Sequence, residues 1–223
     1  MTTRRALIQA GHVAPREPGF EATGTAGEQD LALAIQSRLG KLLTADGRFQ
    51  VMLCPGNIPD GWTGDLFLSL HADGAANPTA SGFSFGYPPD SPESKRLADT
   101  FAATYIRILG APARRGDNYT SDLSGYYGWR RTIAPAKLLV EHGFLTNPSE
   151  RAWLTGNVAA IAQAHYTAIL HHYGLAPLDT VARNRARLAA LRTWILRRRS
   201  EGWGWKRLKA TPNWREFRRR GGK

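Results

Sequence analysis

Cysteine is nearly absent from this sequence: 223 residues contain only Cys54. A single thiol excludes an internal disulfide framework and any metal cluster built from cysteines. Because Cys54 lies in the apolar run VMLC, we interpret it as a buried thiol that packs like a small apolar side chain. Such sparse use of cysteine is typical of a protein made in a reducing compartment, so we expect synthesis in the cytoplasm.

Long apolar runs are also missing. No stretch approaches the roughly 18 apolar residues that a membrane-spanning helix needs. The N-terminal segment MTTRRALIQAGH has two arginines, but its apolar part is too short for a secretory signal and no cleavage-like site follows. We therefore expect that a role outside the cytoplasm would require a release route other than a signal peptide.

Acidic residues are scarce at one end of the chain only. Residues 1–178 contain 15 Lys or Arg and 15 Asp or Glu, whereas residues 179–223 contain 15 Lys or Arg and three acids. The tail thus accounts for the whole formal net charge of +12, and it holds four of the seven tryptophans. This break predicts a first domain over residues 1–177 and a small basic, Trp-rich module over residues 178–223.

Short apolar runs alternate with segments of helical periodicity in the first domain. This alternation predicts an α/β fold with a mainly parallel sheet flanked by helices. The tail shows an apolar stripe at helical spacing, formed by Leu188, Leu191, Trp194 and Ile195, which predicts a helical module. The predicted strands are 6–10, 50–53, 65–70, 81–87 and 137–140, and the predicted helices are 28–43, 93–109, 148–154, 158–173, 181–199, 205–209 and 214–220.

Four polar side chains recur at the predicted ends of strands and starts of helices. His12 and His71 each follow a strand, Glu28 opens a helix, and Glu141 ends the apolar run LLV. Two imidazoles and a carboxylate are a ligand set for catalytic zinc, and a further carboxylate can accept a proton from water. The wide spacing matches no compact metal motif. Alternatively, the histidines could be hydrogen-bonded at strand ends, Glu28 could be a helix N-terminal acid favoured by the helix dipole, and Glu141 could be hydrogen-bonded in a structural role.

The same residues lie in four blocks that resemble a known family. GH at 11–12, the glutamate at 28, SLHAD at 69–73 and LLVEHGFLTN at 138–147 are similar to zinc-dependent N-acetylmuramoyl-L-alanine amidases of the Amidase_3 type. Order and approximate spacing agree over residues 5 to about 175. The resemblance implies that His12, Glu28 and His71 bind one zinc ion. It also implies that Glu141 is the catalytic glutamate, which activates water and passes its proton to the leaving amine.

Some positions depart from the pattern of that family. Gln9 and Ala10 stand where an acidic residue or Asn and a Pro are usual, and Asp73 stands where Asn is common. The segment 54–64, between the second predicted strand and SLHAD, is short and lacks the Arg-rich helix that is usual in that family. Glu17 and Glu21 remain alternatives to Glu28 as the third ligand.

Other polar and aromatic residues have less specific interpretations. We interpret His142 as structural, because it alternates to the opposite face of its strand from Glu141. His165, His171 and His172 lie in a predicted helix, and the last two suit the dipole at its C-terminus. Residues 110–136 are predicted to be a loop, and four of them are candidates for a substrate groove or for packing: Asn118, Tyr119, Tyr126 and Trp129.

The basic tail predicts an anionic polymer as partner. Beside an amidase, wall glycan or an anionic wall polymer is the preferred partner, followed by a membrane surface and then nucleic acid. A solvated extension without a ligand is the remaining alternative, and no obligate protein partner is expected.

The resemblance implies a peptidoglycan hydrolase that cleaves the amide between N-acetylmuramic acid and L-alanine of the stem peptide. The two-part layout suits a phage endolysin, made in the host cytoplasm and acting on the cell wall after release through a holin-type pore. Two alternatives remain: a zinc peptidase acting within peptidoglycan peptides, and a non-catalytic protein that binds an anionic polymer.

Overall fold

A computed structural model of the chain describes residues 3–13, 23–111, 113–178 and 180–220. The chain divides into two compact units, Met1–Ala176 and Pro177–Lys223. Strands of the first unit are β1 (Arg4–Ala10), β2 (Phe49–Pro55), β3 (Trp62–Thr63), β4 (Leu66–Asp73), β5 (Ser84–Gly86), β6 (Thr132–Ile133) and β7 (Ala136–Phe144). Its helices are α1 (Glu28–Asp46), α2 (Pro92–Leu109), α3 (Ser121–Ser124), α4 (Gly128–Arg131), α5 (Pro148–Gly156) and α6 (Val158–His172).

The main sheet has five strands in the order β2-β1-β4-β7-β5. The first four strands run parallel, and β5, at the edge of the sheet, pairs antiparallel with β7. The predicted α/β fold with a mainly parallel sheet is therefore confirmed. Since β2 lies on one side of β1 and β4 on the other, the strand order reverses at β1. Open α/β sheets bind ligands beyond the carboxyl ends of their strands at such a point.

The two faces of this sheet are covered differently. Side chains such as Ile8, Leu68 and Val140 point towards α1, α2 and α6 and form the larger apolar core. On the opposite face, Leu7 and Phe67 pack against residues 52–62 and the aromatic segment 126–129. Because side chains alternate along a strand, Ser69, His71 and Glu141 share this second face.

Helix boundaries follow from the local sequence. Ser91 caps α2 by accepting a hydrogen bond from the backbone N–H of Ser94, and Pro92 occupies the first turn, where its missing N–H costs nothing. Helix α1 ends at Gly47, whose φ of 78° is in the left-handed region that glycine adopts without strain.

Four predicted strands are shorter than the observed β1, β2, β4 and β7, the predicted strand 81–87 is longer than β5, and one region has more structure than expected. Strands β4 and β7 continue through His71 and Glu141, because these residues are direct partners in the ladder and backbone pairing does not depend on apolar side chains. Residues 110–136, predicted to be a loop, contain α3, α4 and β6. The two-residue strands β3 and β6 form a separate parallel pair that is too short to give a periodic pattern.

The second unit consists of α7 (Thr180–Ser200), α8 (Trp205–Lys209) and α9 (Pro212–Arg219). Its buried core is formed by Leu191, Ile195, Leu208 and Phe217, with Leu188, Trp194, Trp203 and Trp214 packed around it. The predicted apolar stripe of the first of these helices thus faces this core. Thr211 caps α9 through the N–H of Trp214. Among the described residues, no helix has the length and apolar character needed to cross a membrane.

Candidate active site

Three polar side chains from three separate elements converge at the carboxyl end of the sheet. His12 follows β1, Glu28 opens α1 and His71 lies in β4. Glu28 Oε1 is 3.2 Å from His71 Nδ1 and 3.6 Å from His12 Nε2. One ligand atom from each residue lies within 4.8 Å of the others, as a shared metal ion requires. The structure therefore brings together the three residues that the sequence predicted as metal ligands.

Glu28 is fixed by hydrogen bonds to both of its carboxylate oxygens. Oε2 accepts from the N–H of Thr25, and Oε1 accepts from the N–H of Ala72. Burial alone would raise the pKa of Glu28, but the hydrogen bond and electrostatic interaction with His71, with smaller contributions from His12 and the Ala72 N–H, lower it below the usual value. Glu28 is therefore held as a carboxylate, the form that binds metals.

His12 is held at the mouth of the site by its backbone and by a hydroxyl group. Its φ of 57° is unusual for a residue other than glycine, and its Nδ1 lies 2.9 Å from Thr23 Oγ1. Burial, together with the neighbouring His71, lowers the pKa of His12 against the opposing charge of Glu28. The neutral imidazole is favoured, and this is the form that binds a metal.

Two glycines leave the space in which these ligands pack. A β-carbon added to Gly11 would lie 2.2 Å from the His71 ring. At Gly24, where φ is +88°, an added β-carbon would lie 2.4 Å from Glu28 Oε2 and 2.7 Å from the His12 ring. No side chain fits at either position without displacing a candidate ligand.

Glu141 lies beside this cluster on the neighbouring strand. It pairs with His71 in the β4–β7 ladder, and its side chain is only 9% exposed. Burial, followed by the charges of Asp73 and Glu28, raises the pKa of Glu141 well above its usual value. A carboxyl group with a raised pKa is suited to exchanging protons near neutral pH.

The donor set fits a zinc ion. His71 Nε2 and Glu141 Oε2 are both buried and have no hydrogen-bond partner among the described residues. Unpaired buried polar atoms are costly in a folded protein, and a bound ion or a substrate would satisfy them. Two imidazoles and one carboxylate are a ligand set that zinc uses in catalytic sites. Glu17 and Glu21, the alternatives to Glu28, lie outside the described residues.

A cavity of about 390 Å³ opens beside the cluster and is lined by residues of the sheet and of segment 119–126. Tyr119 donates a hydrogen bond to the carboxylate of Asp73, and Tyr126 lies edge-on to the His71 ring. Two of the four loop candidates, Tyr119 and Tyr126, thus line the cavity. Asn118 instead accepts from the N–H of Tyr87, and Trp129 packs in the core of the second sheet face.

Gln9, which looked like a departure from the family pattern, organises the floor of the site. Its amide oxygen accepts hydrogen bonds from Ser69 and Tyr126, and its amide nitrogen donates to the carbonyl of Gly56 and to Tyr127. Gln9 thereby ties the 126–127 segment to strands β1 and β4. Sequence reasoning missed this role, because the partners are distant in the chain.

The remaining histidines lie away from the cavity. His142 points into the helical core, where its Nδ1–H donates to the His71 carbonyl, and its ring packs beside His165. The Tyr105 hydroxyl oxygen lies 2.7 Å from His165 Nε2. His172 contacts Glu93, and His171 is exposed at the end of α6. These placements agree with the structural interpretation of His142.

Comparison with known proteins shows the family to which the first unit belongs. The model of the Amidase_3 family, described as N-acetylmuramoyl-L-alanine amidase, matches residues 7–171, which include every residue of the site. The chain belongs to this amidase family. No curated protein sequence matches the chain.

Solved amidase structures share the fold of the first unit. The chain is similar to an N-acetylmuramoyl-L-alanine amidase from Clostridium difficile 630 (23% identity, TM-score 0.61), with 78% of this chain and 98% of that chain covered. It is equally similar to the amidase AmiC2 of Nostoc punctiforme (23% identity, TM-score 0.61), with coverages of 77% and 97%. The catalytic domain of the CD27L endolysin targeting Clostridia Difficile matches at 14% identity and a TM-score of 0.55, with coverages of 75% and 97%.

Proposed function

We propose that the chain hydrolyses the amide bond between N-acetylmuramic acid and the L-alanine of the peptidoglycan stem peptide, with one zinc ion held by His12, Glu28 and His71. The observation that carries this proposal is the convergence of these three side chains beside a cavity that His12, His71 and the buried Glu141 line. Membership of the amidase family supports the choice of bond.

Amide hydrolysis requires a base for the water and an acid for the leaving nitrogen. Glu141 takes a proton from the attacking water as oxygen adds to the carbonyl carbon, and it then delivers this proton to the nitrogen as the carbon–nitrogen bond breaks. The products are a lactyl carboxylate and a free α-amino group on L-alanine. Zinc held by the three ligands would supply a Lewis acid for the scissile carbonyl and a positive charge that favours the ionised form of Glu141.

The remaining residues of the cavity position this chemistry. Gln9 and Tyr126 hold the floor, and the hydrogen bond from Tyr119 to Asp73 fixes one wall. Glu28 is kept ionised by its donors, so its role as a ligand does not compete with the proton transfer at Glu141. Two carboxylates in different surroundings can thus perform different tasks in one site.

For the whole chain, we propose the role of a phage endolysin that acts on the cell wall. The basic second unit would hold the enzyme on wall glycan or on an anionic wall polymer. Its net positive charge supports such a partner. The likeness of the first unit to an endolysin catalytic domain is compatible with this role.

Digestion of purified peptidoglycan tests the proposed bond. The expected products are intact stem peptides with a new N-terminal L-alanine, identified by mass spectrometry. Products cut within the stem or cross-bridge would indicate a peptidase and reject the amidase assignment.

A substitution at Glu141 tests the proposed proton carrier. Glu141→Gln keeps the shape of the side chain and is expected to lower the rate by about 10²- to 10⁴-fold, the usual contribution of general acid–base catalysis. Zinc content, measured by elemental analysis, should be unchanged. Glu93→Gln, at a carboxylate outside the cavity, is the control and should keep full activity. A Glu141→Gln variant as active as the control would contradict the assignment.

A further inference from the structure

Arginines of the second unit stack on its tryptophans. The Arg207 guanidinium lies 3.8 Å from the centre of the Trp203 ring, and the Arg199 guanidinium lies 4.8 Å from the centre of the Trp205 ring. We call these four residues the Arg–Trp surface. Arg199 and Arg207 are exposed, so their charges remain open to solvent while each guanidinium group lies over an indole ring.

Stacking prepares these two cations to bind an anion. A guanidinium group held against an aromatic ring keeps a fixed orientation, and its in-plane N–H groups can bind two phosphate oxygens at once. Arg199 uses one N–H for the carbonyl of Trp203 and keeps the others. Glu201 pairs with Arg197 and Arg198, so this acid does not neutralise the surface. Among the described residues, no carboxylate pairs with Arg199 or Arg207.

The arrangement of the rings disfavours nucleic acid. Proteins that bind single strands stack bases on open aromatic faces. Here Trp203 lies against both Arg198 and Arg207, and Trp205 carries Arg199 and contacts Trp214. The Trp203 and Trp205 rings are therefore both in contact with guanidinium groups, which suits a ligand that offers phosphates without bases.

The burial of the apolar residues disfavours a membrane surface. A helix that lies in a bilayer interface needs an exposed apolar face. The apolar side chains Leu191, Ile195 and Phe217 instead close the core of the unit, and Leu208 is fully buried. The large apolar side chains exposed among the described residues of this unit are Leu196 and Trp205, and the Trp205 ring carries the Arg199 guanidinium.

We propose that the Arg–Trp surface binds the phosphate groups of a base-free phosphodiester polymer of the polyol phosphate type. The inference deepens the proposed function by giving the chemical class of the wall polymer, and it rests on that function only for the location of the polymer. Binding depends on stacked guanidinium groups with a fixed orientation and not on positive charge alone.

Affinity of the full-length chain for synthetic poly(glycerol phosphate), measured by titration calorimetry, tests the proposal. The double variant Arg199→Lys/Arg207→Lys keeps the net charge but loses the planar fork, so its affinity is expected to fall about tenfold. The matched control Arg192→Lys/Arg215→Lys changes two exposed cations of the same unit, for which the structure shows no stacking on an indole ring. Its affinity should stay within about twofold of the parent.

Three outcomes would overturn the proposal. These are no binding of poly(glycerol phosphate), an equal loss in both double variants, or tighter binding of single-stranded DNA or phosphatidylglycerol vesicles than of the polymer. Thermal unfolding of both double variants should match the parent, which shows that the unit still folds. Glu141→Gln should bind the polymer as tightly as the parent. Loss of hydrolysis with retained binding, or loss of binding with retained hydrolysis in the arginine variant, would show that the two proposals can fail independently.

Discussion

Glu28, Asp46 and Glu141 in the first unit are at most 9% exposed, whereas Arg199 and Arg207 in the second unit face solvent. A buried carboxylate loses its hydration, so the protein must supply a partner or accept a shifted pKa. Glu28 has fixed donors and a lowered pKa, while Glu141 has a raised pKa beside the same cavity. Arg199 and Arg207 remain open to solvent on the side away from their indole rings, so their charges need no buried partner.

This contrast indicates how each unit should respond to change. In the first unit, the site depends on a few atoms at fixed distances, and a single substitution there should act strongly. In the second unit, the proposed binding uses exposed cations, so added salt should weaken it, and the two oriented arginines, Arg199 and Arg207, should contribute more than the other cations. Three predictions test the contrast, in order of decreasing effect.

Removal of the metal should have the largest effect and should be confined to the first unit. Chelation is expected to abolish hydrolysis, because His12, Glu28 and His71 would lose the zinc ion proposed for them, and added zinc should restore it. Free zinc at about 100 times its dissociation constant should also stabilise the fold by roughly 2.7 kcal/mol, measured by thermal unfolding.

His71→Ala tests the same site without chelation, because a variant that lacks one ligand should not be stabilised when zinc is added. Chelated protein should bind poly(glycerol phosphate) as before, because that surface contains no ligand of the metal. Full hydrolysis by protein shown to be free of metal would reject the metal site.

Truncation of one core leucine in each unit should separate the two stabilities. Leu208→Ala removes a fully buried side chain from the second unit, and Leu39→Ala does so in the first. Each is expected to cost about 2–5 kcal/mol of unfolding free energy in its own unit. Calorimetric scans should show a lower unfolding temperature for the unit that carries the substitution. Leu208→Ala should leave hydrolysis of a soluble muropeptide unchanged. Equal loss of this activity in both variants would contradict independent units.

The Asp46 carboxylate gives a pH-dependent test of a buried charge. Burial opposes its ionised form, but hydrogen bonds from Arg48 and Tyr166 outweigh burial and lower the pKa of Asp46. Because the folded pKa is lowered, this contribution is complete above the unfolded value of about 3.9 and is lost as pH falls through the folded pKa. Asp46→Asn should cost about 1.5–3 kcal/mol at pH 7 and progressively less in acid.

Denaturant unfolding of parent and variant across an acid series measures this difference. Asp90→Asn, at an exposed position, is the control and should leave stability nearly unchanged at every pH. A constant difference between parent and Asp46→Asn down to strongly acid pH would show that the charge of Asp46 is not the cause.

The helices and the order of the main elements were predictable because they depend on local sequence. Periodic apolar residues indicated α1, α2 and α6, and the strand–helix alternation indicated the parallel sheet. The ends of β4 and β7 were not predictable, since His71 and Glu141 interrupt the apolar runs while backbone pairing continues. The length of a strand depends on its neighbours, which a single segment does not reveal.

The candidate site was predictable only in part. Resemblance of four blocks to a family indicated His12, Glu28, His71 and Glu141, although spacing alone left other interpretations open. The cavity walls were harder to predict, because their contacts join residues that are distant in the sequence. Tyr119 reaches Asp73 from the loop after α2, and no local pattern encodes that pairing.

The glycines at positions 11 and 24 have a consequence for sequence variation. A saturation mutagenesis screen that scores lysis should find both positions as intolerant as the candidate ligands, although neither offers a functional group. Even Gly11→Ala would place a methyl group 2.2 Å from the nearest atom of the His71 ring. A search for active-site residues that considers only reactive side chains would overlook these two positions, where the requirement is for empty volume.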